Sequence, residues 1–248
     1  NDKSKKTTED DPTFDATVTG MVKGENANEK LTYTITRTDA GNNTEGAHNT
    51  ITPSGGTYQN NYKVTYKTGT LTITKDDTTE IELIIVGNTL EQTYDGQVHT
   101  ANNYEVTYPA GTSSTDFQIV TSKTASVSAT DVKTTAEGTV DADGRYMMGL
   151  TAEDFTVTSE KYGKIKVTYT DGWLKITPIA ITLKSSNASK TYDGVALTKN
   201  EVTVISGSFV SGEGLTYNVT GSQTKVGTSE NTYTYTANCL LYTSPSPR

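Results

Sequence analysis

Two histidines, His48 and His99, are the first side chains to weigh for acid–base or metal chemistry, and each sits in a polar stretch far from any other histidine or cysteine. Zinc needs several such ligands at short spacing, so each reads as an exposed loop residue. Asp141-Ala142-Asp143-Gly144 sets two carboxylates before a glycine, as calcium loops do. An EF-hand places its glycine sixth and a glutamate twelfth. Here glycine comes fourth and Ala152 stands twelfth, so a turn is the better account. Glu9–Asp11 reads as part of a solvated linker rather than a cation site. No nucleophile elbow, phosphate loop or dinucleotide fingerprint occurs. The 29 acidic residues single out no pair for glycoside hydrolysis. No catalytic, cofactor-binding or metal residue is nominated; the expectation is a non-enzyme without cofactors.

Two aromatic features remain. Thr-Tyr-Asp-Gly occurs at Thr93–Gly96 and again at Thr191–Gly194, with the tyrosines 98 residues apart. Asp-Gly supplies the positive torsion of a tight turn, and the tyrosine ring can lie on a sheet with its hydroxyl wet. Turn chemistry accounts for both copies. Trp173 has the chemistry to stack on a sugar ring, and packing at a joint between modules is the competing account.

Composition bounds the function. A net charge of −8 and a pI near 4.8 speak against nucleic acid as a partner. Cys239 is the single cysteine, which rules out an intramolecular disulfide. No apolar run reaches transmembrane length, and no signal or sorting motif is visible. The chain starts in mid-pattern without methionine and is read as a fragment.

The elements that position these residues are strands. Thr and Tyr are abundant and Phe is scarce, the composition of sheets wetted on one face. Lys164–Thr177 contains Asp171-Gly172 between alternating runs, and predicts a hairpin in which Tyr169 faces Leu174 and Val167 faces Ile176. Tyr62–Thr74 repeats the device around Thr68-Gly69, predicting Tyr66 opposite Leu71 and Val64 opposite Ile73. The two glycines are 103 residues apart, the mark of an internal repeat. Further strands are expected at Phe14–Thr19, Leu31–Thr36, Ile81–Val86 (central), Phe117–Val120, Ala125–Thr130 and Ile179–Leu183. Asp39–Gly56 reads as a long loop with at most a brief strand. Gly149–Phe155 is the one helical signal, a single turn with Thr151 and Asp154 as its capping box.

The TYDG turns, DGWLKITPIAITL at Asp171–Leu183, YMMGLTAEDF at Tyr146–Phe155 and LTYNVTGSQTKVGTSENTYTYT at Leu215–Thr236 resemble the MBG/YDG-type tandem repeats of bacterial surface proteins over residues 13–238. The resemblance implies β-grasp-like or Ig-like modules in adhesin stalks, some associated with mucin, and carries no catalytic residues. Val140–Arg145 reads as a small insertion. The expected fold is mainly β: tandem modules of short antiparallel strands with one or two helical turns each. The expected order is a linker (1–12), a partial module (13–76), a complete module (77–178), a second partial module (179–238) and a non-native tail (239–248). The expected function is a monomeric, non-catalytic stalk segment of an adhesin on a bacterial surface, without membrane insertion. The alternative is a module that binds mucin-type glycans or host extracellular matrix; an enzyme acting on glycosides is the remote one.

Overall fold

A computed structural model describes residues 1–133 and 140–238; the tail expected at 239–248 lies outside the described residues. The chain is mainly β, with twenty short strands and only single helical turns among the described residues. Most pairings are antiparallel, and three are parallel. The chain divides into two compact units. The first is Asn1–Val86, Tyr104–Thr124 and Leu150–Thr170. The second is the described part of Gly87–Asn103, Ala125–Gly149 and Asp171–Arg248.

In the first unit, Gly69–Thr74 alternates so that Leu71 and Ile73 are fully buried. It lies between Lys3–Lys6, which pairs with it in parallel, and Gly46–Gly55, which runs antiparallel; Tyr33–Arg37 completes this four-stranded sheet. Ile51, Leu71 and Ile73 form the core, with Phe14 and Ile35 packed against it. Two expectations are corrected here. Asn1–Pro12 is not a linker through its length, because Lys3–Lys6 satisfies its backbone on the edge of this sheet. Asp39–Gly56 holds a ten-residue strand rather than a loop. Its polar composition hid it, since it is flanked by strands on both sides and needs to bury only Ile51 completely. Phe14–Thr19 forms no strand, although Phe14 reaches the core. Leu31 ends a helical turn, Ala27–Lys30, that gave no helical signal in the sequence.

The same unit holds a second core. Ile81–Gly87 is the central strand of a three-stranded sheet, between Tyr104–Thr107 and Ile165–Thr170, and Gln118–Thr121 pairs with Phe155–Thr158. Leu83, Phe117 and Tyr162 form its centre. Phe117 stacks between Tyr108 and Tyr162 at 5.7 and 5.6 Å, separations at which aromatic pairs add to area burial. The expected turn at Thr151–Asp154 is present as Ala152–Asp154 with its capping box. A second such box caps Ser114–Asp116.

In the second unit, Trp173–Thr177 is flanked by Tyr146–Met147 and by Thr89–Thr93, the latter parallel. His99–Asn102 pairs with Ser126–Ala129. Ala101, Leu174 and Ile176 form the core, with Leu90, Tyr94 and Val127 against it. Beyond them, Thr182–Ser185 pairs with Val202–Ser206, and Gly214–Val219 with Tyr233–Asn238. No side chain between Pro178 and Asn238 is fully buried.

Neither expected hairpin forms. Ile165–Thr170 and Trp173–Thr177 belong to different sheets, with Tyr169 beside Ile85 and Leu174 beside Leu90. Likewise Gly69–Thr74 leaves Tyr62–Lys63, which turns back on Tyr58–Gln59 through Asn60 at φ 50°. Gly172 and Gly69 lack the positive φ that such turns require. They are glycines for another reason: a Cβ on Gly172 would lie 2.5 Å from the Asn88 carbonyl oxygen, and one on Gly69 would lie 2.6 Å from that of Asn1. In the parallel arrangement Ile165 packs against the cluster of Leu83, Phe117 and Tyr162, in which Leu83 is completely buried. A self-paired hairpin would satisfy the backbone of Ile165–Thr170 but not that of Ile81–Val86 along the same edge.

Candidate functional site

The acids and bases singled out by type neutralise one another. Asp11 accepts from Lys5 Nζ at 3.0 Å and Arg37 Nη1 at 2.5 Å, and Arg37 Nε donates to Asp39 at 2.8 Å. Lys5 and Arg37 are buried, so the cluster pins the start of the first repeat to its sheet. Burial pushes the Asp11 carboxyl up, but the bonds from Lys5 and Arg37 outweigh it and hold it below its ordinary range. His48 lies 3.5 Å from Asp39 and meets the Thr44 carbonyl at 3.0 Å. Removing one member of this set leaves a buried charge unpaired, which is its main energetic consequence.

A second constellation lies around Asp76, in the first unit. Asp76 N donates to the Lys161 carbonyl at 2.9 Å, and Gly163 N to the Asp76 carbonyl at 2.7 Å. The Asp76 carboxylate accepts from Thr78 Oγ1 (2.5 Å), Thr78 N (3.0 Å) and Thr8 Oγ1 (2.6 Å). Those bonds, from Thr78 first and then Thr8, lower its pKa to about 2. Thr7 Oγ1 donates to the Lys161 carbonyl at 2.6 Å, and Lys6 pairs with Asp77 at 2.5 Å. Sequence reading placed this network in a linker and a polar connector. Nothing in either pattern announces the Thr7 and Lys161 contact, 154 residues apart.

In the second unit the two TYDG turns share their local chemistry. Asp95 accepts from Gln97 N at 2.9 Å and Asp193 from Val195 N at 3.0 Å, with Gly96 and Gly194 at φ 77° and 79°. Their tyrosines differ. Tyr94 packs on the core and donates its hydroxyl to Glu213 at 2.5 Å. Tyr192 is 64 % exposed. His99 meets Asp95 at 2.8 Å, and that bond lowers the Asp95 pKa. The Asp141 carboxylate takes bonds from Arg145 N, Asp143 N and Arg145 Nε within 2.9 Å, the turn read from the sequence. Arg145 then lies 5.3 Å over the half-buried Trp173 ring, which sits in a strand rather than beside a turn. Among the described residues no group of three or more His, Cys, Asp or Glu is placed to hold a metal. None of their helices is long and apolar enough to cross a membrane.

Against this geometry, residues 1–72 match the MBG domain (YGX type) family. The matched stretch includes Lys3–Lys6 and most of its parallel partner Gly69–Thr74, so the family's unit takes in the strand misread as linker. Residues 1–72 are thus similar to MBG-type repeats, a family of non-catalytic modules typical of surface proteins. Searches of the curated proteins and of the solved structures matched nothing.

Proposed function

We propose that this chain is a spacer segment of a bacterial surface adhesin, acting outside the cell by holding another domain at a distance. The observation that carries the reading is the pinned joint at Asp76. Three residues, Lys75 to Asp77, separate the Gly69–Thr74 strand from Thr78, and the Asp76 backbone among them is bonded to Lys161 and Gly163. A joint bonded through its backbone resists bending, which is what a spacer requires and a mobile linker lacks. The Tyr94 and Glu213 bond does the same between the middle repeat and residues of the third. Small-angle scattering on the whole chain tests the reading. An extended particle is expected, with Asp76→Ala lowering its maximum dimension or broadening its distribution; a wild-type chain that collapses to a compact sphere sinks the proposal.

A second reading is favoured by the exposure of Tyr192 in a turn that also carries Asp193. An exposed ring beside hydrogen-bonding groups suits a sugar face, so mucin-type glycans or host matrix are the ligands to try. Saturable mucin binding that is lost after periodate treatment and in Tyr192→Ala is the expected result. Binding unaltered by that substitution removes the aromatic mechanism. Trp173 is the poorer candidate, because Arg145 covers its ring.

A further inference from the structure

The cluster around Asp11 brings an amine, a carboxamide and a carboxylate within hydrogen-bond reach of one atom. Lys5 Nζ donates to Asn43 Oδ1 at 2.8 Å and to Asp11 Oδ1 at 3.0 Å. The Lys5 side chain is 3 % exposed, so its amine meets these two groups in place of bulk water. A buried amine held against a carboxamide, with a carboxylate beside it to move protons, is the reactant set for transamidation.

The backbone keeps all three groups in place. Lys3–Lys6 is paired along its length with Gly69–Thr74. Asn43 lies in the loop between Tyr33–Arg37 and Gly46–Gly55, and that loop is tied by its own bonds. Asn42 N donates to the Asp39 carbonyl at 3.0 Å, and Thr44 donates to Asn42 Oδ1 through both its amide and its hydroxyl. Arg37 donates to the Asn42 carbonyl and, at 2.5 Å, to Asp11, which fixes the loop and the carboxylate together. Groups positioned in this way have little freedom left to lose on reaching a transition state. Asn43 itself is exposed, which gives a leaving ammonia a path to solvent.

We propose that Lys5 and Asn43 form an intramolecular isopeptide bond, with Asp11 as its catalytic residue. Asp11 takes one proton from the Lys5 ammonium, and the freed electron pair of Nζ forms a bond to Asn43 Cγ. Asp11 then protonates Nδ2 as the Cγ–Nδ2 bond breaks, and takes a second proton from Nζ. The products are an amide joining Nζ to Cγ and ammonia, which leaves with the electron pair of the broken bond. The last proton passes from Asp11 to solvent. Nothing is oxidised or reduced, and no further reactant is needed. The bond closes residues 5–43 into a permanent loop and ties the edge strand Lys3–Lys6 to the loop that joins two strands of its sheet. Disulfides constrain chains in the same way, which the single Cys239 cannot do within this one. The inference does not rest on the spacer reading.

The test is the intact mass of the purified full chain, followed by peptide mapping. The expected mass is one ammonia below that of the sequence. Trypsin is expected to release residues 4–6 joined to residues 38–63, because an amide at Lys5 Nζ blocks cleavage after that residue. Asn43→Ala changes an exposed loop position and is expected to restore the full mass with an unchanged circular dichroism spectrum. Lys5→Arg is expected to restore it as well. Asp11→Asn keeps the shape of the side chain without its basicity, and is expected to show the full mass. A folded, unsubstituted chain at the full mass of its sequence overturns the inference. So does a mass deficit that persists in Asn43→Ala, or one that maps to no linked pair of peptides. Linkage at the unsubstituted level in Asp11→Asn overturns the role given to Asp11.

Discussion

The joint at Asp76 yields the sharpest prediction. Its carboxylate holds two threonines from opposite sides, Thr78 and Thr8, and its pKa falls from the ordinary 3.8 to about 2. At 1.36 kcal/mol per pH unit that gap corresponds to about 2.4 kcal/mol. The side chain is partly exposed, and screening by solvent reduces the figure to about 1–1.5 kcal/mol. Because the folded-state pKa is the depressed one, this stability is fully present above about pH 4 and is lost as pH falls from 3.8 towards 2. Asp76→Ala is therefore expected to lower the unfolding free energy of the first unit by about 1–1.5 kcal/mol at pH 7. The difference from the unsubstituted chain should shrink steadily between pH 4 and pH 2. Urea denaturation at a series of pH values measures it, and an NMR titration of the Asp76 carboxyl reads the pKa directly. A stability difference that stays constant from pH 7 to pH 2, or a carboxyl that titrates near 3.8, refutes the reasoning. Lys6→Ala serves as a comparison, since its pair with Asp77 is exposed and worth little.

Other expectations follow from the packing. Leu174 is completely buried between Ala101 and Ile176, so Leu174→Ala should cost about 2–5 kcal/mol in chemical denaturation. Thr168→Ala, on an exposed position of the neighbouring strand, should cost under about 0.5 kcal/mol. Gly172→Val should destabilise by about 1–3 kcal/mol, because its Cβ meets the Asn88 carbonyl and Met148 and both must shift. Paired cysteines at Glu82 and Lys166, which stand opposite each other in the parallel pair, should cross-link under mild oxidation; failure to link, with linkage instead between cysteines at Tyr169 and Leu174, would restore the hairpin.

Much of the architecture was legible because its signals are local. Alternation marked Gly69–Thr74 and Trp173–Thr177 as strands with Leu71, Ile73, Leu174 and Ile176 inward, and the apolar run Ile81–Val86 marked a central strand. Thr151 and Asp154, three residues apart, capped one turn as their chemistry requires. Asp95 and Asp193 fold the next two residues back through their own carboxylates, so two TYDG turns look alike wherever they occur. The resemblance to MBG-type repeats is a property of the sequence, and a family match over residues 1–72 agrees with it.

Partner choice was decided by tertiary structure, since a strand's own residues do not say which edge it will meet. Asp171-Gly172 is compatible with a hairpin, yet Ile165–Thr170 lies parallel to Ile81–Val86 instead, where Ile165 joins the cluster around the buried Leu83. The charged start of the chain looked too polar to fold, yet Lys5 and Arg37 become buried because Asp11 and Asp39 neutralise them. Tyr94 and Tyr192 share a motif and differ in environment, because only one of them finds a glutamate within reach. Sequence alone determined the strands with clear alternation and the turns closed by their own side chains, because periodicity and turn chemistry act over a few residues. The joints were decided by contacts between segments far apart in the chain, and those are set by which arrangement buries the most apolar surface while leaving no backbone group unpaired.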